Sequence, residues 1–240
     1  MKFYYDFHIH SALSPCGDED MTPNNIVNMA ALKGLDIIAL TDHNSSGNCA
    51  AAMEAAKGLP LMVLPGMELC TAEECHIVCL FPHLSECLSF DEYVRARYAS
   101  VKNKPDIFGR QLLMDSEDEI VGEEETLLTT STGISVDEVS DLVEGFGGAA
   151  FPAHIDRPSY SVLAMLGFLA PEMGFRTAEL SKHCQSVEEL LPTHPYLSEY
   201  RIVRNSDAHY LGDIAERENC LELAELTATG VIEWLRNYHK

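Results

Sequence analysis

The chain has 240 residues, 46% of them hydrophobic, enough for one large core or for one domain with an insertion. Carboxylates outnumber lysine plus arginine by 38 to 16, and the resulting net charge of -22 disfavours extended nucleic acid or acidic lipid as a partner of the general surface. No apolar run reaches the roughly 18 residues a bilayer span needs, the first residues lack the basic n-region and small-residue cleavage site expected of a signal peptide, and eight scattered cysteines read as reduced thiols of a cytoplasmic protein. A small positive site stays open, because bound metal ions do not enter that charge count.

In chain order, the apolar run Phe3 to His10 reads as a strand. Alternation puts Phe7 and Ile9 on one face, and His8 and His10 on the other with Asp6 beneath. A loop rich in turn formers follows, from Ser11 to Asp20. Thr22-Pro23 opens a helix as cap and first-turn proline, with Ile26, Met29, Ala30 and Lys33 inward and Gly34 as the stop. Leu35 to Leu40 is a continuous apolar strand ending in Thr41-Asp42-His43. An alanine-rich helix spans Asn48 to Lys57. The strand Leu61 to Leu64 ends in Pro65-Gly66-Met67-Glu68, and the strand Cys75 to Phe81 carries His76.

Residues 84–148 break this alternation. They hold an expected helix at Ser89 to Val101, two acidic stretches, Asp115 to Glu119 and Glu123 to Glu125, and an expected helix at Ser135 to Gly145. A connection this long is an acidic solvated flap or a lid over a site. The alternation then resumes. Ala149 to Ala153 runs into His154, Tyr160 to Leu169 is helical, Arg176 to Ser181 is a strand, and Val187 to Leu191 is a short helix. Arg201 to Asn205 is a strand ending in Ser206-Asp207-Ala208-His209, Cys220 to Leu226 a last strand, and Thr227 to Asn237 a closing helix. Repeated βα units predict parallel strands, hence a barrel or an open doubly wound sheet, in one domain over residues 1–240.

His8, His10, His43, Glu68, His76, His154, Asp207 and His209 all sit at or near strand ends, where a barrel rim would bring them together. They exceed the about four to six ligands of one zinc-type ion, so about two to three divalent ions are implied. Imidazole and carboxylate ligands suit Zn, Mn or Fe. His83, His183, His194 and His239 are left over, and Asp6 and Asp42 read as groups that orient ligands. Arg157, three residues past His154, is placed by its loop at the rim where a barrel puts substrate contacts; Arg204, inside its strand, faces away.

The ordered set His8-Ile-His10, Thr41-Asp-His43, Gly66-Met-Glu68, His76, His154 and Ser206-Asp-Ala-His209 resembles the PHP (polymerase and histidinol phosphatase) superfamily. The resemblance covers most of the chain and is weakest over residues 84–148. It implies an α/β fold, a distorted (β/α)7 TIM-like barrel with an inserted acidic segment. It also implies a trinuclear site that hydrolyses phosphoesters. Carried over motif by motif, His8, His10, Glu68 and Asp207 would hold one ion, and Glu68, His76 and His154 a second. His43 and His209 would hold the third, with a residue of the first loop. Counting back four residues from Thr22 selects Asp18 over Asp20 and Cys16 as that residue. A metal-bound hydroxide would attack phosphorus, with His209 or Asp18 protonating the leaving group. The acidic surface and the lack of companion domains favour a small phosphorylated substrate. A C–N-cleaving amidohydrolase and a non-catalytic metal-binding scaffold are the rival readings. The first lacks a strand-end lysine to bridge two metals, Lys182 being the sole candidate.

Overall fold

The computed structural model describes residues 1–238; His239 lies outside the described residues. β1 (Lys2–Ile9), β2 (Ile37–Leu40) and β3 (Met62–Cys70) are parallel neighbours, with α1 (Pro23–Leu32) and α2 (Cys49–Ala55) as crossovers. α1 starts as expected: Thr22 accepts the Asn25 N–H at 3.2 Å and proline fills the first turn. Its buried face is Pro23, Ile26, Val27 and Ala30, with Met29 half-buried against the same cluster.

The strand direction then reverses. β4 (His76–Leu80) is antiparallel to β3, with Cys70 opposite His76. β7 (Ala149–Pro152) is antiparallel to β4, with Pro152 opposite Ile77. This corrects the all-parallel expectation, and it explains His76. The residue begins its strand, and only a reversed strand puts its first residue at the rim where β3 ends. Gly66 permits the close pairing, since a Cβ there would lie 2.6 Å from the Cys79 carbonyl oxygen.

With β10 (Cys220–Glu222) counted, the ladder order is β10-β1-β2-β3-β4-β7, six strands in a curled half-barrel, with β8 (Thr177–Leu180) and β9 (Arg201–Arg204) as a separate parallel pair. β10 lies antiparallel on β1. The expected closed (β/α)7 barrel is therefore not formed by continuous ladders. Isolated bonds span the two gaps: the Ile155 N–H donates to the Glu179 carbonyl at 2.8 Å, and the His10 N–H to the Ala208 carbonyl at 3.0 Å.

A register shift between Asp6 and Ile9 breaks the alternation assumed for β1. Phe7 joins an inner cluster with Tyr5, Leu64, Val78 and Phe151, whereas Ile9 packs outward with Ile26, Val27 and Leu40. Val231, Ile232 and Leu235 of α7 (Ala228–Arg236) complete the inner cluster. Each such buried side chain contributes roughly 1.5–3 kcal/mol.

Within residues 84–148, α3 (Leu84–Arg95) starts five residues before the helix expected at Ser89. α5 (Val136–Gly145) matches expectation, with the Ser135–Glu138 capping box. Between them lie α4 (Pro105–Phe108) and the hairpin β5 (Leu112–Met114) and β6 (Ile120–Glu123). Buried amides dock this polar segment. Asn48 donates to the Leu112 carbonyl at 3.0 Å and accepts the Met114 N–H at 2.9 Å. Asn44 donates to the carbonyls of Leu128 and Thr130, each at 2.7 Å. α6 (Val162–Leu166) is shorter than expected. Among the described residues, no helix is long and apolar enough to cross a membrane.

Candidate metal centre

Glu68 is the hub. It leaves β3 buried, and five imidazoles point nitrogens at its carboxylate: His8 at 3.2 Å, His10 at 3.4 Å, His43 at 2.9 Å, His76 at 3.0 Å and His154 at 3.1 Å. Asp207, beyond β9, lies 3.5 Å from His8 and 3.3 Å from His10. His209 stacks on His10 with ring centroids 4.3 Å apart. Three sets have ligand atoms within 4.8 Å of one another: His8, His10 and Asp207; His43, Glu68 and His76; His10, His43 and His209.

Hydrogen bonds behind the rings aim the free lone pairs at this centre. His8 Nδ1 donates to both oxygens of Glu179 at 3.1 Å, so Nε2 is the nitrogen turned toward Glu68. His10 Nδ1 donates to Ser14 Oγ at 2.9 Å, and Ser14 donates to Asp42 at 2.7 Å. His209 Nδ1 donates to the Asp207 carbonyl at 2.9 Å. Asp42 thus orients a ring through Ser14, and Asp6 instead accepts the backbone N–H groups of Ser206 and Ala215, at 3.0 and 2.9 Å. Glu179 was not singled out from sequence. Its one signal is a carboxylate between Ala178 and Leu180 in a strand that is buried throughout. Expected for Glu179→Gln is a loss of about 10- to 100-fold in zinc affinity, read by competition with a chromophoric chelator. Unchanged affinity would reduce Glu179 to a partner of the His154 N–H, which it accepts at 3.0 Å.

Burial disfavours charge on every group here, yet the carboxylates Glu179, Glu68 and Asp207 outweigh it at His8 and hold its pKa well above the usual value. For His10 burial prevails, aided by His209, and its pKa falls well below. Burial likewise opposes ionisation of Glu68 and Asp207, but the imidazoles prevail and hold both carboxyls well below the usual range. His154 and Asp207 adopt positive φ, 30° and 50°. Strain of this kind persists where surrounding structure over-determines it, commonly at functional sites.

Asp18 does not reach the cluster. Its carboxylate caps the Asp20 N–H at 2.9 Å, and its own N–H donates to the His209 carbonyl at 2.9 Å. The loop side chain that arrives is Cys16, with Sγ 3.3 Å from His43 Nε2. Partial burial raises the Cys16 pKa, but His43 and His209 outweigh that and bring it to about 6. The turn folds back on itself, Gly17 N–H to Ser14 carbonyl at 2.8 Å, and it is Cys16 that lines the cleft. Arg157 Nη1 donates to Asp207 at 2.5 Å. Arg204 faces away and donates to the carbonyls of Cys184 and Gln185.

A cleft of about 400 Å³ opens over Glu68, His76 and His154, lined also by Phe108, Tyr160 and Arg157. The donor set fits divalent cations. Imidazole lone pairs and carboxylates converge, Glu68 ion-pairs with histidines alone among the described residues, and the buried His154 Nδ1 has no partner.

Residues 6–146 match the sequence model of the PHP domain, and the chain belongs to that family, whose members hydrolyse phosphoesters. Among solved structures, the lesion-specific endonuclease EndoQ of Pyrococcus furiosus superposes with TM-score 0.71 at 18% identity, over 98% of this chain and 56% of that one. A protein assigned as a metal-dependent phosphoesterase from Bifidobacterium adolescentis superposes with TM-score 0.63 at 20% identity, over 96% and 95%. The 5'-3' exoribonuclease Rnm of Escherichia coli is 35% identical over 74 residues, 30% of this chain and 24% of Rnm. This chain thus spans about half of EndoQ, and its match to Rnm about a quarter of that protein. EndoQ has also been seen with a 27-mer duplex carrying an abasic lesion at its active site. These neighbours overturn the expectation of a small phosphorylated substrate and of no extended nucleic acid. Net charge is a property of the whole surface, whereas a phosphodiester meets only the cleft.

Proposed function

We propose that the protein is a metal-dependent phosphoester hydrolase acting on nucleic-acid phosphodiesters. The observation that carries this reading is Glu68, a buried carboxylate met by five imidazoles. In this reading three ions, of Zn, Mn or Fe, occupy the rim of a distorted barrel. His8, His10, Glu68 and Asp207 hold the first, Glu68, His76 and His154 the second, and His43 and His209 belong to the third. Bound there, such ions supply a water of lowered pKa and neutralise charge on the phosphoryl oxygens.

The remaining work falls to the protein. Arg157, anchored on Asp207, presents its outer N–H groups to a phosphate, and Lys182 lines the adjoining cleft. His209 keeps its Nδ1 proton on the Asp207 carbonyl, which favours a ligand role over proton donation to the leaving group. Phe108 and Thr129 reach the cleft from residues 84–148, supporting a lid that selects substrate. Tyr160 stacks on His76 at 4.8 Å and remains 45% exposed, suited to carry a base. Lys182 pairs with Asp213 at 3.4 Å, away from Glu68, which counts against an amidohydrolase bridge.

The test is turnover of 5'-labelled RNA and DNA oligonucleotides, single-stranded and as abasic duplex, after reconstitution with Mn, Zn or Fe. Cleavage that requires metal and stops with chelator is expected. No cleavage of any phosphodiester at full metal content would sink the reading. Tyr160→Ala should raise KM for an oligonucleotide roughly tenfold with kcat held within about twofold; an unchanged KM would remove the stacking role.

A further inference from the structure

Cys16 is the exposed cysteine of the chain, and six of the other seven are buried. Its loop is firmly built. Ser11 donates its N–H and hydroxyl to Asp42 at 2.7 and 2.6 Å, and a Cβ on Gly17 would lie 2.5 Å from the Ser11 carbonyl oxygen, so the turn admits glycine alone. This frame holds Sγ 3.3 Å from His43 Nε2, beside the set His10, His43 and His209, whose nitrogens lie within 4.8 Å of one another.

We propose that the Cys16 thiolate is a ligand of the outermost ion, together with His43 and His209. That position is then a nitrogen–sulfur site that takes zinc, ferrous or cobaltous ion in preference to Mn or Mg. The inference rests on the metal-centre reading above and assigns the one ligand that reading leaves open. Binding is a simple exchange: the S–H bond breaks, the metal–sulfur bond forms, and the proton passes to solvent with no change of oxidation state. A rival role, a cysteine nucleophile attacking phosphorus, needs free loop N–H groups around the phosphoryl oxygens. Here those groups are spent, with Ser14 N–H on the Ser11 carbonyl, Gly17 N–H on the Ser14 carbonyl and Asp18 N–H on the His209 carbonyl, at 3.1, 2.8 and 2.9 Å.

The experiment is cobalt(II) titration of the metal-free full chain, followed by absorption. Wild type should develop a near-ultraviolet thiolate-to-cobalt charge-transfer band beside the visible ligand-field bands. Cys16→Ser and Cys16→Asp should lose the near-ultraviolet band while still binding cobalt at the remaining positions, and Cys220→Ser should keep it. In zinc–manganese competition, Cys16→Asp should lower the preference of the last-filled position for zinc by roughly tenfold or more. Ligand-field bands without a charge-transfer band in wild type, or a band that survives in Cys16→Ser, would overturn the thiolate ligand and leave the metal centre standing. No cobalt uptake would overturn both.

Discussion

Glu68→Gln is expected to cut turnover by about 10³-fold or more and to lower metal content by at least one ion per chain. The substitution keeps the side chain's volume, so it leaves no cavity. It removes the one negative charge shared by five imidazoles and replaces an acceptor oxygen with an amide nitrogen that cannot bind a cation. Elemental analysis beside kinetics checks it, with His194→Ala as the control, since His194 pairs with Tyr196 away from the cluster. Full metal content and wild-type turnover in Glu68→Gln would mean that Glu68 is not a ligand. The metal-free protein offers a second reading of the same charge. Glu68 is held well below its ordinary carboxyl value of 4.5, so its contribution to stability is complete above that value. It is lost as pH falls through the lower, folded-state value. The difference in Tm between metal-free wild type and Glu68→Gln should therefore be full near neutrality and shrink below pH 4.5.

Arg157→Ala should lower kcat/KM by about 10²-fold, on the scale of about 3 kcal/mol for a contact made to the transition state. The guanidinium is 44% exposed along its side chain and bonds Asp207 at 2.5 Å, so one arm of its fork is anchored and the rest faces the cleft. Asp156, the partner a plain surface ion pair would use, is occupied with the N–H and hydroxyl of Ser181, at 2.7 and 2.5 Å. Arg157→Lys keeps charge without the planar fork and should fall between wild type and Arg157→Ala. Metal content separates two roles: unchanged content with reduced kcat/KM marks a phosphate contact, and reduced content marks a residue that merely positions Asp207. Kinetics within about twofold of wild type at full metal occupancy would place Arg157 outside the reaction.

Residues 84–148 show where pattern reading fails. No apolar periodicity marks residues 103–132, yet a hairpin forms there; Asn44 and Asn48 bind the segment to the barrel, and Gln111 ties it together internally through the backbone of Glu124, Thr126 and Leu128. Its order comes from buried amides that satisfy backbone carbonyls. Hydrogen bonds of this kind contribute about 1 kcal/mol each and leave no hydrophobic signature. Glu179 was missed for a related reason. A single carboxylate in a short strand looks like a surface residue until the fold sets it behind His8.

From sequence alone, the strand-end histidines and carboxylates could be recognised, because turn chemistry follows each apolar run and the ligand types are chemically distinctive. His8, His10, His43, Glu68, His76, His154, Asp207 and His209 were all named that way, and the fold brings them to one rim. Tertiary structure alone decided the rest. The reversal of β4, which carries His76 to that rim, depends on pairing with β3 and β7, and strand direction is not encoded in a run of apolar residues. Which side chain of the first loop lies beside His43, where Cys16 Sγ stands at 3.3 Å, depends on how that loop folds back under Asp42 and Ser14. A shift of two residues in such a turn changes which side chain faces inward, and only contacts remote in sequence select between them.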